Sequence, residues 1–409
     1  MRNSSAHRQV KVVHVITRFD KGGSAENTFL TVTGLDHEKY AVTLIYGVAI
    51  DENTSPLEAS SIAENFSCLQ EREINVIHVP HLVRPVSPLK DTCALIALYR
   101  YLRKEKPLIV HTHTSKAGIL GRWAAFLAQV PIICHTPHGH VFWGYFGSLL
   151  SRLFIFLEKI TAPITDRLIM LTAQERDDHL LFRVAPKEKF VVIHSGVDLQ
   201  PFFQHDPSRK EKMRSSLSLG ADDFVIGSVG RLTQVKGHRY LLNAYARYLG
   251  RGGKGTCVMV GEGELRKELT EQAQQLGIEK LVRFLGWRPD VAPVMKAFDV
   301  FVLPSLNEGM GKVVVEAMAC GLPVIASNVG GIKDLIVHGE NGLLVPPTDE
   351  ESLAEAIMLL YRKPHLRKEM GEKGKQKALL YSREAMVEKI EDLYQTLIRE
   401  KTKGHGANL

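Results

Sequence analysis

Short apolar runs alternate with amphipathic stretches along the whole chain. Apolar runs bounded by turn residues are typical of buried strands, and apolar positions three or four apart predict helices. The first half of the chain contains seven predicted strands: 10–17, 41–47, 74–80, 108–114, 131–136, 167–171 and 190–194. Helices are predicted between most of them, among them 89–105, 115–129 and 148–161. Thr172 and Glu175 have the spacing of a capping box for another helix.

After residues 195–202 the same pattern starts again. Further strands are predicted at 223–230, 256–261, 282–286, 299–304 and 323–327, and two helices at 350–362 and 383–399. Nearly continuous apolar strands that alternate with helices predict parallel sheets covered on both faces. A chain of 409 residues also exceeds what one hydrophobic core usually fills.

We therefore predict an α/β protein with two doubly wound, Rossmann-like domains that face a cleft. The predicted domains are residues 1–198 and 199–381, and a final helix at about 382–400 is expected to pack back on the first. In such folds ligands bind beyond the carboxyl ends of the strands.

Composition excludes several classes of protein. Hydrophobic residues make up 44% and charged residues 24% of the chain, which is ordinary for a globular protein and unlike a disordered or fibrous one. The five cysteines include no C-x-x-C pair, which argues against a disulfide framework or a zinc cluster. We see no signal peptide and no long apolar run, so we expect a cytoplasmic protein without a transmembrane helix.

The net charge of +7 is most concentrated between His81 and Arg122. This basic segment holds two acids, Asp91 and Glu105, against eight cations: Arg84, Lys90, Arg100, Arg103, Lys104, Lys106, Lys116 and Arg122. Such a segment is either a solvated helix face or a surface that binds an anionic membrane. The apolar stretch 146–160 is likewise either a core helix or part of that attachment. No nucleic-acid motif accompanies the charge, so we expect no nucleic-acid partner.

Two loops at predicted strand ends combine glycines with charged side chains. In the first, Glu308 and the glycines Gly309 and Gly311 precede a helix that carries Glu316. Glycines let a backbone approach a ligand closely, and a helix N-terminus with free N–H groups favours phosphate. In the second, Arg231 and Lys236 lie between Gly230 and a further helix. A guanidinium fork and an ammonium together suit a diphosphate.

Histidines supply a third candidate feature. His138 follows a predicted strand and could reach a ligand, although a lone histidine is more often structural. His111 and His113 stand two residues apart on a predicted strand, and we interpret them as pointing to opposite faces of the sheet. On that interpretation we predict no zinc site.

These stretches together resemble the GT-B glycosyltransferases of the large retaining family 4. The resemblance spans nearly the whole chain and is most specific in its second half. It is carried by the Gly22–Gly23 turn, HTHTSKAGILGR (111–122), HTPHG (135–139), GRLTQVKG (230–237), GEGELR (261–266), FLGWRPDV (284–291) and the E-x7-E stretch that runs from Glu308 to Glu316 and continues into EAMACGLPVIAS (316–327).

The resemblance implies a nucleotide-sugar donor and assigns catalytic roles to Arg231, Lys236, Glu308 and His138. Arg231 and Lys236 would hold the donor diphosphate beside Gly230. Glu308 would contact hydroxyls of the donor sugar, which His138 would also approach.

The resemblance also implies contacts with the other parts of the donor. Gly22 and Gly23 would leave room for the donor phosphate and the acceptor hydroxyl. The N–H groups of Gly309, Met310 and Gly311 would lie near the phosphates, Glu316 would accept hydrogen bonds from the ribose, and Gly286, Trp287 and Arg288 would line the base pocket. The chain departs from many family members at Met310, where they carry an aromatic residue.

The implied reaction moves a sugar from a UDP-sugar to a glycan or lipid-linked glycan in surface polysaccharide biosynthesis, with retention of configuration. No D-x-D motif is present, so we expect no cofactor and no metal, with cations and a helix N-terminus stabilising the leaving diphosphate. The alternatives are a nucleotide-sugar 2-epimerase and a non-catalytic partner of the same fold, since fold alone does not fix function. Gly261 and Gly263 are too small a fragment of a dinucleotide fingerprint to support a dehydrogenase.

Overall fold

The structure is a computed structural model, and it describes residues 9–20, 22–50, 54, 56–139, 148–204 and 207–404. Part of the apolar stretch 146–160 therefore lies outside the described residues, as do the side chains of 148–150. The chain divides into two compact units. The first runs to Gly196 and resumes at Arg383, and the second is Val197–Ser382.

The described part of the first unit contains seven parallel strands and six helices before the chain leaves it. The strands are β1 (Val10–Arg18), β2 (Tyr40–Val48), β3 (Asn75–His78), β4 (Ile109–His113), β5 (Ile132–Thr136), β6 (Arg167–Met170) and β7 (Phe190–Val192). The helices are α1 (Gly23–Gly34), α2 (Pro56–Glu71), α3 (Pro88–Glu105), α4 (Ser115–Leu127), α5 (Ser148–Thr161) and α6 (Ala173–Leu181).

The strand order in this sheet is β3-β2-β1-β4-β5-β6-β7. The order reverses direction between β1 and β4, so the loops that follow these two strands diverge and leave a crevice at their carboxyl ends. The strands are buried because apolar side chains cover both faces of the sheet, as Val12 and Ile109 do on one face and Val13 and Val110 on the other. A ligand of this sheet is therefore expected to bind in the crevice beyond β1 and β4.

The second unit begins with α7 (Gln200–Phe203) and α8 (Pro207–Ser216). Its described strands are β8 (Val225–Val229), β9 (Thr256–Val260), β10 (Val282–Phe284), β11 (Val300–Leu303), β12 (Val324–Ser327) and β13 (Gly342–Val345). Its further helices are α9 (His238–Gly250), α10 (Arg266–Gln275), α11 (Val291–Lys296), α12 (Lys312–Ala319), α13 (Ile332–Leu335), α14 (Glu350–Arg362) and α15 (Pro364–Ala378).

These strands are also parallel, in the order β10-β9-β8-β11-β12-β13. The reversal of order here lies between β8 and β11. The predicted fold class, two doubly wound parallel sheets, is confirmed, and so are the predicted strands, apart from the omission of β13. That strand is four residues long and ends one residue before Pro346, which left too short an apolar run to recognise.

The last helix, α16 (Arg383–Gly404), belongs to the first unit. Its apolar side chains enter the core beside β1 and α1; these are Met386, Val387, Ile390, Tyr394 and Leu397. Asn27 on α1 donates a hydrogen bond to Met386 Sδ at 3.1 Å. The helix thus completes the hydrophobic core of a unit whose other elements all precede residue 197.

Candidate donor site and histidine cluster

Two neighbouring strand ends of the second unit bring the charged loops together. The loop after β8 carries Arg231 and Lys236, and the loop after β11 carries Glu308. Lys236 Nζ donates a hydrogen bond to Glu308 Oε1 at 2.6 Å. Ser305 Oγ donates to the same oxygen at 2.7 Å. The Glu308 side chain is only 8% exposed, so these two donors compensate a carboxylate that is largely removed from water.

A glycine makes the close approach of these loops possible. Gly237 has a φ of +67°, and a Cβ at this position would lie 2.1 Å from the carbonyl oxygen of Pro304. The backbone N–H of Leu306 donates to the carbonyl of Val235 at 2.8 Å. No residue with a side chain fits at Gly237 without separating the two loops.

A third loop supports Glu308 from behind. Gly330 follows β12 with a φ of +48°, and a Cβ there would lie 1.8 Å from the carbonyl oxygen of Glu308. The N–H of Gly331 donates to the carbonyl of Gly309 at 2.8 Å. Sequence reasoning did not select Gly330 or Gly331, although a Gly-Gly pair shortly after a predicted strand is a recognisable signal.

The other residues of this unit that the resemblance assigns to the donor lie around the same loops. Arg231 is exposed, and Gly311 is the N-cap of α12 with a φ of +75°. Met310 is buried and belongs to the hydrophobic core, so its backbone and not its side chain is available to a ligand. Glu316 is half-buried on α12, one turn beyond the helix start. Gly230 lies beside Lys236, whose Cδ would be 3.8 Å from a Cβ built on it.

A buried histidine that the sequence did not single out adjoins these residues. His238 begins α9, and within the described chain neither of its ring nitrogens has a hydrogen-bond partner. Its Cε1 would lie 3.9 Å from a Cβ on Gly230. Burial and, to a smaller extent, the nearby Lys236 ammonium lower its pKa to about 4. The imidazole is therefore neutral beside the two cations.

The predicted base pocket lies after β10. Gly286 pairs with Gly261, whose N–H donates to the Gly286 carbonyl at 2.8 Å. Trp287 is 54% exposed. The Arg288 guanidinium forms a two-point ion pair with Asp290, at 2.8 and 2.6 Å. This ion pair raises the pKa of Arg288 and fixes the orientation of its guanidinium.

The glycine turn of the first unit follows β1. Gly22 is the N-cap of α1, and its N–H donates to Asp20 Oδ1 at 2.8 Å. Gly23 begins the helix, with nothing within 4 Å of where its Cβ would be. The turn therefore offers open space at the point where the strand order reverses.

His138 lies beyond β5, which β4 separates from β1, and has an uncommon backbone conformation with a φ of +60°. The next residue, Gly139, donates its N–H to Glu175 Oε1 at 3.0 Å, and Leu171 donates to Glu175 Oε2 at 2.7 Å. The predicted cap is present, because Thr172 Oγ1 accepts the Glu175 N–H at 3.0 Å. Burial raises the pKa of the Glu175 carboxyl to about 7. Positive φ at a residue other than glycine persists only where neighbours impose it, and Glu175 is one such neighbour.

The interpretation of His111 and His113 as facing opposite ways is wrong. Residues two apart on a strand share a face, and the two rings lie 4.3 Å apart between centroids. His14 on β1 joins them, with its Nδ1 3.0 Å from His113 Nε2. Burial lowers the pKa of His14 to about 3 and holds the pKa of His111 and His113 well below the ordinary value.

The three rings form a cluster of neutral imidazoles in which one nitrogen from each ring lies within 4.8 Å of the other two, close enough to consider as metal ligands. Five of the six nitrogens already take part in hydrogen bonds, however. His111 uses both of its own, with Tyr394 Oη at 2.7 Å and Thr136 Oγ1 at 2.8 Å, and His113 uses both of its own. A metal ion would have to displace several of these bonds, and the expectation of a metal-free protein stays a prediction.

Two of the eight cations in the basic segment are not surface charges. Arg122 is fully buried and forms a two-point ion pair with Glu158, at 2.8 and 2.9 Å. Lys116 is largely buried and pairs with Asp91 at 2.6 Å. The other six are exposed: Arg84, Lys90, Arg100, Arg103, Lys104 and Lys106. Within the described ranges, no helix has the length and hydropathy needed to cross a membrane.

Comparison with known proteins relates both units to one class of enzyme. The family model described as Glycosyltransferase Family 4 matches residues 12–201, and the model described as Glycosyl transferases group 1 matches residues 209–377. Among solved structures, HepE of Anabaena in complex with UDP superposes with a TM-score of 0.79 at 22% identity, covering 95% of this chain and 100% of that one.

Two relatives match over most of their lengths. An Escherichia coli protein named UDP-Gal:alpha-D-GlcNAc-diphosphoundecaprenol alpha-1,3-galactosyltransferase is 34% identical over 360 residues, which is 87% of this chain and 88% of the relative. The capsular polysaccharide biosynthesis glycosyltransferase CapM of Staphylococcus aureus is 28% identical over 346 residues, 81% of this chain and 88% of the relative. The chain therefore belongs to the family 4 glycosyltransferases and is a glycosyltransferase of the GT-B fold.

Proposed function

We propose that this glycosyltransferase transfers a sugar from a UDP-sugar to a hydroxyl of a lipid-linked glycan in surface polysaccharide biosynthesis. We further propose that it does so with retention of configuration and without a metal ion. The observation that carries the proposal is the 2.6 Å ion pair between Lys236 and Glu308 at adjacent strand ends, directly before the N-terminus of α12.

This arrangement suits the departure of a nucleoside diphosphate. An ammonium has three N–H donors, so Lys236 keeps two for phosphate oxygens while it holds Glu308. Arg231, exposed on the same loop, adds a planar fork, and the first N–H groups of α12 add a partial positive charge. Fixed donors aimed at a developing negative charge are a strong source of catalysis. Glu308, held by Lys236 and Ser305, is positioned to accept hydrogen bonds from sugar hydroxyls.

The names of the relatives support the choice of substrates. The Escherichia coli relative is named for a UDP-galactose donor and for an acceptor linked to undecaprenyl diphosphate, and the Staphylococcus aureus relative for capsular polysaccharide. HepE was solved with UDP. Retention with same-face attack, in which the acceptor hydroxyl is hydrogen-bonded to the leaving phosphate, is proposed by analogy with the family.

A lipid-linked acceptor would place the reaction at a membrane, and the first unit carries two surfaces suited to it. Six cations of the basic segment are exposed, and α3 also exposes Leu89 and Ile96. On α5, Leu153, Phe156 and Ile160 are exposed, whereas Glu158 is buried. The sequence left this stretch open as a core helix or part of a membrane attachment, and these three apolar side chains face outward. We propose attachment to the surface of an anionic membrane through these helices.

The proposed function is tested by measuring product, not only donor loss. Purified protein is incubated with UDP-, GDP- and ADP-sugars, with and without a lipid-linked glycan acceptor. We expect acceptor-dependent release of UDP and a new glycosidic bond with the anomeric configuration of the donor, read by NMR. Conversion of the UDP-sugar to an epimer without UDP release would identify the isomerase alternative. Absence of donor binding by any nucleotide sugar would identify a non-catalytic partner.

A further inference from the structure

The carboxylate of Glu175 joins two loops at the carboxyl edge of the first sheet. Gly139, in the loop after β5, donates its N–H to Glu175 Oε1 at 3.0 Å. Leu171, which directly follows β6, donates its N–H to Glu175 Oε2 at 2.7 Å. Because β5 and β6 are neighbours in the sheet, the two contacts tie the loops after these strands to each other.

The start of α6 holds Glu175 in place for these contacts. Its own N–H donates to Thr172 Oγ1 at 3.0 Å, and the residue is only 5% exposed. In an ordinary capping box the glutamate side chain accepts the N–H of the N-cap residue. Glu175 reaches one residue further back, to Leu171, and turns its other oxygen to a different loop. The side chain therefore does more than begin a helix.

The contact with Gly139 acts directly on His138. The N–H of Gly139 belongs to the peptide plane that joins the two residues, so its hydrogen bond restricts ψ of His138. Both residues have a positive φ, +60° at His138 and +101° at Gly139. His138 Nε2 lies 2.9 Å from His113 Nδ1. His138 is thus held at its backbone by Glu175 and at its ring by His113.

We propose that Glu175 is a positioning residue for sugar transfer, whose carboxylate holds the backbone of His138 in the conformation that directs its imidazole to the donor sugar. Without the carboxylate, the peptide between His138 and Gly139 could rotate, and His138 could return to the negative φ that residues other than glycine favour. Its imidazole would then leave the position set by the loop. The effect on turnover rests on the proposed function, because it requires His138 to approach the donor, but the hydrogen bond does not.

The hydrogen bond is tested in the full chain without ligand. His138–Gly139 is one of three His-Gly peptides in the sequence, so labelling with carbonyl-¹³C histidine and ¹⁵N-glycine leaves three signals in a ¹³C–¹⁵N correlation spectrum. The signal of Gly139 is identified by its loss in His138→Ala. Burial raises the pKa of the Glu175 carboxyl to about 7, so the measurement is made above that pH, where both oxygens can accept.

We expect the Gly139 amide of the wild type to exchange with solvent more slowly than the same amide in an unstructured peptide. Exchange as fast as in that peptide would overturn the proposal before any variant is compared.

Glu175→Met removes the carboxylate while keeping most of the side-chain volume. We expect it to abolish the protection of the Gly139 amide and to lower kcat by up to about 100-fold, the loss expected from a misplacement near 1 Å. Affinity for free UDP, measured by isothermal titration, should not change, because the proposed diphosphate contacts are made by Arg231, Lys236 and α12. Unchanged protection or unchanged kcat in Glu175→Met would contradict the positioning role.

A double-mutant cycle determines whether Glu175 acts through His138. If it does, Glu175→Met should lower kcat in the wild type but lower it little further in a His138→Ala background, because the side chain that it positions is already absent. Losses that multiply in the double variant would refute this route, and so would normal turnover in His138→Ala alone.

Leu69 offers a matched control for destabilisation. It is fully buried on α2, beside β3, which three strands separate from β5. We expect Leu69→Ala to lower the melting temperature through a cavity, with the protection of Gly139 and kcat unchanged. Loss of either in Leu69→Ala would assign the effects of Glu175→Met to general loosening of the fold and overturn the proposal. Failure of the wild type to transfer from any UDP-sugar would instead overturn the proposed function and leave the exchange result standing.

Discussion

Lys236 Nζ and Glu308 Oε1 lie 2.6 Å apart although 72 residues separate them in sequence. The cation and the carboxylate that the resemblance assigns to different parts of the donor therefore form one unit before any ligand is present. Because the Glu308 side chain is 8% exposed and that of Lys236 23%, each is the other's main charge compensation. Removing either residue therefore leaves the charge of the other without its main partner.

Because only Lys236 of the two cations pairs with Glu308 in the described chain, we expect substitutions of Arg231 and Lys236 to have different effects on stability. Arg231→Ala removes an exposed donor and should lower turnover by roughly 10²–10³ with little change in melting temperature. Lys236→Ala should lower turnover similarly and also destabilise the fold, because it leaves a buried carboxylate unpaired. The double variant should lose less than the sum, since both residues serve one diphosphate. Steady-state kinetics and thermal unfolding measure this, with the exposed Lys254→Ala as control; near-normal turnover in Arg231→Ala would refute the assignment.

Glu308 and Glu316 should differ in the part of the donor that they contact. Glu316→Ala should weaken binding of free UDP and UDP-sugar alike, by about 1.5–3 kcal/mol, as for hydrogen bonds to a charged group. Glu308→Ala should spare free UDP and weaken the UDP-sugar. Isothermal titration with both ligands distinguishes the two, and Glu355→Ala on the exposed face of α14 is the control. Identical ligand profiles for Glu308→Ala and Glu316→Ala would contradict the roles proposed for them.

Activity should survive removal of divalent metal. The proposed stabilisation of the leaving diphosphate uses Arg231, Lys236 and the start of α12, and the histidine cluster has five of its six nitrogens engaged in hydrogen bonds. We expect unchanged turnover after dialysis against EDTA. Metal content is checked by mass spectrometry before and after dialysis. Loss of activity that Mg²⁺ or Mn²⁺ restores would disprove metal independence.

Stability should fall as pH rises toward neutrality because of Glu175. Its pKa is about 7 in the folded chain and near 4.5 when unfolded, so the folded state binds more protons between these values. The free energy of unfolding should therefore decrease across pH 4.5–7, by about 3 kcal/mol from this group, and level off above it. Urea unfolding of the wild type and of Glu175→Gln across this range measures the difference. Equal pH slopes for the two proteins would rule out Glu175 as the source.

Binding to vesicles should depend on anionic lipid and fall steeply with salt. Changing Arg100, Arg103, Lys104 and Lys106 together to Ser should weaken binding by about 1 kcal/mol for each residue. Hydrolysis of the soluble donor should be unaffected. Co-sedimentation at varied anionic content compares this variant with a control in which exposed lysines of the second unit, Lys254, Lys267, Lys280 and Lys363, become Ser. Equal binding to neutral and anionic vesicles, or none to either, would eliminate the membrane proposal.

Most of the fold can be predicted from local sequence, because strands that are buried on both faces are nearly continuous apolar runs. Apolar runs such as 10–17 and 256–261 could be recognised without knowing their neighbours, and the start of α14 at Glu350 and the end of α3 at Glu105 were predicted to the residue. The short strand β13 could not be recognised in this way, since its four residues resemble any apolar loop. The loops with Glu308 and Lys236 were recognisable as candidates for ligand binding. Their direct pairing was not, because it depends on the order of β8 and β11 in the sheet.

Predicting the histidine cluster required both the local spacing of residues and the order of the strands in the sheet. The spacing of His111 and His113 already places both on one face of β4, and the sequence interpretation missed this. His14 could be added only once β1 was known to lie beside β4, with His14 in register with His111. Glu175 was recognised as a capping residue, but its hydrogen bond to the loop of His138 spans 36 residues and has no local signal.

The contacts of Gly237 and Gly330 with neighbouring carbonyl oxygens have a consequence for affinity. Three loops from three strands touch backbone to backbone, so their conformations are set by folding. Binding a ligand to loops that must first be ordered costs part of the interaction energy, and a preorganised site avoids that cost. Here the entropy of ordering the loops that we propose to bind phosphate is lost when the chain folds. More of the energy of each phosphate contact can then appear as affinity for the donor.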